Sequence, residues 1–231
     1  MHIPDGFINV PTSLGAGAMA AGALGLSVKR AGIYLQDKHV PLAGLMAAFL
    51  FTAQMINFPI AAGTSGHLIG GVLAAVLLGP WMAVLCMSVV VGVQALFADG
   101  GLTALGLNVL NLAVVGCVLG YGIFWFVRLL APRNRSGVVF SAGLAATLSV
   151  VASAALFVFE YGVGGDSDVD IAAVLGAMLG IHLFIGVVEG LVTAATLSLV
   201  IGVRPDLVFG AAGLVPGAGS NPVALPVQLR Q

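Results

Sequence analysis

Long apolar runs fill this chain, and almost no charge interrupts them. Of its 231 residues, 60% are hydrophobic and 7% are charged, against roughly 25% charged in soluble domains. No water-soluble core needs so many apolar residues, so the pattern specifies an integral membrane protein. A helix needs about 20 mostly apolar residues to cross a bilayer. Seven stretches come near that length: 12–28, 40–58, 67–79, 81–97, 107–130, 138–161 and 170–201. The third is short, and the last is long enough to tilt or break. All seven are expected to be helices, because backbone in lipid must satisfy its own hydrogen bonds. The alternating pattern of a β-barrel is missing. Gly79-Pro80 marks a tight turn between the third and fourth runs. The expected fold is all-α and polytopic.

The distribution of charge sets the orientation. Lys29, Arg30 and Lys38 follow the first span, Arg128, Arg133 and Arg135 the fifth, and Arg204 and Arg230 the seventh. The opposite connections hold Asp5, Asp99, Asp166, Asp168 and Asp170 and no Lys or Arg. The positive-inside rule puts the basic loops in the cytoplasm. Seven spans then place the N-terminus outside and the C-terminus inside, in the cytoplasmic (inner) membrane. One membrane domain is expected over 1–203, with a loose Pro/Gly-rich cytoplasmic tail over 204–231. No separate signal peptide is expected, since a basic leader is missing and the first apolar run starts after Pro11. Cys86 and Cys117 lie in apolar runs and read as packed thiols. No basic patch suits nucleic acid. Small residues four apart in the first two spans, such as Ala16 and Ala20 or Gly44 and Ala48, allow close helix approach, either within the chain or to a partner subunit.

The chain opens MHIPDGF. A terminal amine, the His2 amide nitrogen and the His2 imidazole Nδ1 can close a five- and a six-membered chelate ring on one ion. One position of a square plane then remains. Nitrogen-rich tetragonal geometry favours Ni(II) or Cu(II), with Co(II) lower in the series. The segment PIAAGTSGH, ending at His67, lies on the same expected side as residues 1–11. His67 is the natural fourth nitrogen; equally, a histidine at a helix start is a cap or a surface residue. Pro4 biases Ile3 toward extended geometry. Asp5 reads as an acceptor orienting an imidazole or as the cap of a turn before Gly6. Ser65 reads as a support for the site or a cap of the third helix. Asn108, in DGGLTALGLN, reads as lining of the site or as ordinary interhelical hydrogen bonding. Intramembrane ionisable residues are functional suspects; His182 and Glu189, seven residues apart, share a face of the seventh span, and a neutral hydrogen-bonded histidine is the plainer account of His182.

At MHIPDGF, GTSGHLIGG, LLGPW and DGGLTALGLNVLN the chain resembles the CbiM/NikM family, the substrate-binding S components of energy-coupling-factor transporters for cobalt and nickel. The resemblance runs from residue 1 to about 200. It departs at Leu112, where Met is expected. It implies a seven-helix component with its N-terminus inserted in the molecule. It also implies that Co(II) or Ni(II), as transported substrate, is held by Met1, His2 and His67. The implied partners are a transmembrane T component, cytoplasmic ATPase subunits and a small separate membrane N subunit. No organic cofactor is implied. The chain carries no G-x-x-x-x-G-K-[ST] string, so ATP is handled elsewhere, and no H-E-x-x-H string for a metalloenzyme. The expected function is capture of Co(II) or Ni(II) at the outer face and delivery to an ATP-driven uptake complex, not enzymatic turnover. A proton-coupled secondary transporter is the alternative; it requires midplane carboxylates and broken helices.

Overall fold

The computed structural model describes residues 1–60, 65–167 and 169–218. Seven helical bodies follow one another: α1 Val10–Ala31, α2 His39–Met55, α3 Gly71–Leu78, α4 Pro80–Leu96, α5 Leu105–Leu130, α6 Arg135–Gly164 and α7 Ile171–Val203. Three of them, α5, α6 and α7, are long and apolar enough to cross a membrane. α2 and α4 are shorter apolar helices of 17 residues each.

Local chemistry sets the boundaries. Asn9 caps α1 by accepting from Thr12 N at 3.0 Å, with Pro11 in the first turn. Asp170 caps α7 by accepting from Ala172 N and Ala173 N. Gly79, at φ +84°, makes the turn between α3 and α4, where a Cβ would strike the Tyr34 ring. Residues Val109–Leu119 of α5 are wound as a π-helix. Ser153 Oγ donates to the Asn111 carbonyl there at 3.0 Å. Gly71 packs against Gly116 so closely that a Cβ at Gly71 would run into the Gly116 backbone. Gly143 and Gly190 bring α6 and α7 together in the same way. Along α1, Ala16 and Ala20 are buried, whereas nothing lies near Gly15, Gly22 or Gly25.

The third expected span departs from a full helix over 67–79. α3 has only eight residues, about 12 Å at 1.5 Å per residue, too short for a ~30 Å hydrocarbon core. All eight are buried. Residues 65–66 pair with Phe58 and Pro59 in a two-stranded ribbon, and the chain then runs non-helically to Gly70 before α3 begins. Such backbone is tolerated at membrane depth only when protein buries it and satisfies its polar groups. Here Gln54 and Glu189 do so. Gln54 Nε2 donates to the Ile69 carbonyl at 2.7 Å, and Glu189 accepts from Ile69 N and Gly70 N.

The two ends of the bundle differ in charge. Lys38 Nζ reaches the Asp206 carbonyl, and Arg135 reaches Ser198, at the end where α1, α5 and α7 finish. The expected loose tail is packed at its start: Phe209 lies 5.1 Å from the Tyr34 ring and 6.0 Å from Tyr121, with Val208 and Ala211 buried. Residues 219–231 of that tail lie outside the described residues.

Candidate metal centre

The N-terminal nine residues thread into the end of the bundle opposite Lys38 and Arg135. Ile3 is clamped by one amide side chain: its N–H donates to Asn108 Oδ1 at 2.7 Å, and Asn108 Nδ2 donates to its carbonyl at 3.0 Å. Gly101 N also donates to the Ile3 carbonyl, at 2.8 Å. Gly100 (φ +101°) and Gly101 permit this approach. A Cβ at Gly101 would collide with the Asp5 backbone, and one at Gly100 would press on His2 and Asn108. Downstream, Asn9 N donates to the Gly164 carbonyl at 2.7 Å, and Asp166 N to the Phe7 carbonyl at 3.0 Å. Met1 and Ile3 are fully buried and His2 nearly so.

Two imidazoles meet at this buried tip. The His2 and His67 ring centroids lie 4.5 Å apart, with 29° between the planes. His67 Nδ1 lies 2.8 Å from the Leu68 carbonyl, so the hydrogen-bond network puts the proton on Nδ1 and the lone pair on Nε2. That Nε2 is buried with no hydrogen-bond partner among the described residues. His2 Nε2 lies 3.2 Å from Gln94 Oε1. Donation to Gln94 leaves the lone pair on Nδ1, the nitrogen that can share a chelate ring with the main chain. Asp99 Oδ1 stands 3.3 Å from Nδ1 but is not aligned for a hydrogen bond.

The electrostatics remove protons from these nitrogens. Burial holds the terminal amine well below its ordinary pKa, against the pull of Asp99. Burial also lowers His2, partly offset by Asp99 and Gln94. Burial pushes the Asp99 carboxyl up, but its contact with His2 and the amine charge outweigh this and leave it low. A cleft of about 420 Å³ opens beside the tip, with Asp5, Asn57, Asp99 and His2 in its lining. Among the described residues no three His, Cys, Asp or Glu side chains converge on one point.

The structure brings Met1, His2 and His67 together at one end of the bundle. Asp5 does not face an imidazole; its Oδ1 accepts from Thr103 N at 2.7 Å and Thr103 Oγ1 at 2.5 Å, and so ties the N-terminal segment to the 99–103 loop. Asn108 supports the site through Ile3. Ser65 joins the ribbon through its backbone, and its side chain lies outside the described residues, as do Gly63 and Thr64. α3 is not capped by a hydroxyl: Gly70, at φ +75°, occupies the cap position and Glu189 takes the amides. His182 donates from Nδ1 to the Met178 carbonyl at 2.8 Å, one turn back on α7. Sequence reasoning reads Gln94, Asp99 and Gln54 as polar lining of a pocket on that side or as ordinary interhelical hydrogen bonding, without assigning any of them to the metal site.

The buried N-terminus and the paired rings of His2 and His67 lie at one end of a helical bundle, and the chain's relatives are named for metal transport. The chain belongs to the family described as CbiM, cobalt uptake substrate-specific transmembrane region, which matches residues 2–207. It is an S component of the CbiM/NikM kind, a transport component and not an enzyme. A protein of Haloquadratum walsbyi named for metal transport is 42% identical over 213 residues, covering 90% of this chain and 94% of that one. The fused nickel transport protein NikMN of Rhodobacter capsulatus is 40% identical over 164 residues, 71% of this chain and 47% of that one. A crystal structure described as a truncated transition metal transporter superposes with a TM-score of 0.80 at 30% identity, covering 87% of this chain and 99% of that chain.

Proposed function

We propose that this protein captures Co(II) or Ni(II) in a plane of four nitrogens: the Met1 amine, the His2 amide nitrogen, His2 Nδ1 and His67 Nε2. The 4.5 Å spacing of the two imidazole centroids carries the proposal. Two imidazole nitrogens about 2 Å from one ion and at right angles place their ring centroids on the order of 4.5 Å apart. Charge supports it as well. A divalent ion, one deprotonated amide and the Asp99 carboxylate sum to zero, which suits a site shielded from water. Nitrogen ligands select against Mg(II), Ca(II) and Mn(II), which prefer oxygen.

The seven helical bodies serve as seven crossings, the third made of the extended stretch before Gly70 together with α3. The basic end faces the cytoplasm by the positive-inside rule, so the metal site opens outward from the cytoplasmic membrane. Delivery inward is driven by ATP through a transmembrane T component and cytoplasmic ATPase subunits, with a small N subunit as a further partner. The broken third crossing, with Glu189 beside it, also suits a proton-coupled secondary transporter. Uptake by cells that express the partners separates the two. ATP depletion stops the ATP-driven complex, whereas collapse of the proton gradient at constant ATP stops the secondary transporter.

The binding proposal is tested by Ni(II) titration of protein with a free Met1 amine and of protein acetylated at Met1. Acetylation removes the amine from the chelate and is expected to weaken binding at least a hundredfold. Equal affinities would refute the plane.

A further inference from the structure

Beyond the ribbon that ends at Gly66, the stretch that carries His67 has no regular structure of its own to hold it. From His67 to Gly70 the chain is non-helical, and the first amides of α3 have no partners within the helix. What fixes this segment comes from elsewhere in the bundle. Glu189 Oε2 accepts from Ile69 N at 2.5 Å, and Oε1 accepts from Gly70 N at 2.9 Å. Gln54 Nε2 takes the Ile69 carbonyl, and the Leu68 carbonyl takes His67 Nδ1–H. His67, Ile69, Gln54 and Glu189 are all buried. Gly70 cannot relax by gaining a side chain, since a Cβ there would strike Leu50. One continuous set of bonds therefore runs from the α7 carboxylate through residues 70, 69 and 68 to the ring of His67.

We propose that Glu189 is a positioning residue for metal capture: its two oxygens hold residues 68–70 so that His67 Nε2 meets the nitrogens of the N-terminus. The inference rests on the four-nitrogen plane proposed above. A carboxylate suits the task because both of its atoms accept. It also stands at the N-terminus of α3, where negative charge is favoured. Glutamine has the same shape but one acceptor, so its NH₂ faces one of the two amides donor to donor. His67 contributes a single nitrogen, and a shift of about 1 Å removes it from bonding distance. Glu189 thus makes α7, the longest helix, part of the metal-binding unit although it donates no ligand.

The test uses the full chain with its native start, loaded with Cu(II) as an optical probe and Ni(II) for affinity. Loss of one in-plane nitrogen moves the visible copper band to longer wavelength. Glu189→Gln is expected to shift this band to the position given by His67→Ala. It should weaken Ni(II) binding about 10–100-fold, and the double variant should be no worse than His67→Ala alone. A wild-type band in Glu189→Gln, with a shifted band in His67→Ala, would overturn the positioning role and leave the plane standing. A wild-type band in His67→Ala would overturn the plane and this inference with it. Hydrogen exchange on the metal-free wild type checks the clamp without a variant. The Ile69 and Gly70 amides should be as protected as those inside α3, and rapid exchange at both would overturn the proposal.

Discussion

Asp99 Oδ1 stands 3.3 Å from His2 Nδ1, the side-chain nitrogen proposed as a metal ligand. The carboxylate is mostly buried, at 13% exposure, and lines the cleft that leads to the site. It acts in two opposing directions. It raises the pKa of both the amine and His2, which favours protons over metal. It also attracts a divalent cation. Burial already keeps the amine and imidazole pKa values low, so relief from protons gains little near neutral pH and the attraction dominates. Asp99→Asn should weaken Ni(II) binding at least tenfold, about 1.4 kcal/mol, as read by competitive titration. Unchanged or tighter binding would contradict this.

Proton release should reveal the prepared state of the site. The reference pKa values are about 7.7–8.0 for the amine and 6.5 for histidine, and burial depresses both the amine and His2. Near pH 7 they are already neutral, so about one proton, from the His2 amide, should leave per ion bound. Calorimetry in buffers of different ionisation enthalpy counts it. Release of about three protons would show that the donors start charged.

The same shifts give the metal-free protein a pH-dependent stability. A basic group with a depressed folded pKa binds fewer protons folded than unfolded, so stability rises with pH between the two values. The unfolding temperature of the metal-free protein should fall as pH drops from 8 through 6. Acetylation of Met1 removes the contribution of the amine, and a pH profile unchanged by acetylation would contradict its burial.

Asn108→Ala removes both bonds that clamp Ile3 and leaves its buried N–H without that acceptor, at a cost of about 1–3 kcal/mol. The N-terminus should loosen while the bundle persists. Amine-selective labelling of Met1 in the metal-free protein should become fast, and Ni(II) affinity should fall. Labelling as slow as in wild type would contradict the clamp.

The sequence made the helices legible because long apolar runs and the split of basic from acidic loops each report one simple force. Six of the seven stretches coincide with helices to within a few residues. The third failed for a physical reason: hydropathy cannot distinguish a helix from extended backbone whose polar groups are met by remote side chains. Nothing near Ile69 in sequence announces Gln54 or Glu189. The residues of the proposed metal site stood out because MHIPDGF and GTSGH are chemically unusual strings. Asp5 was misplaced because its partner, Thr103, lies 98 residues away. Asp99 showed only as one acid among several on its side, and its place beside His2 depends on the close approach that Gly100 and Gly101 allow.

The central claim is that two main-chain nitrogens and two imidazoles surround the ion. X-ray absorption at the nickel edge, on loaded protein with its native start, addresses it directly. The expected spectrum is that of a square-planar centre with four nitrogen neighbours and the outer-shell scattering of two imidazole rings. A six-coordinate shell dominated by oxygen, or scattering from one ring or none, would contradict it.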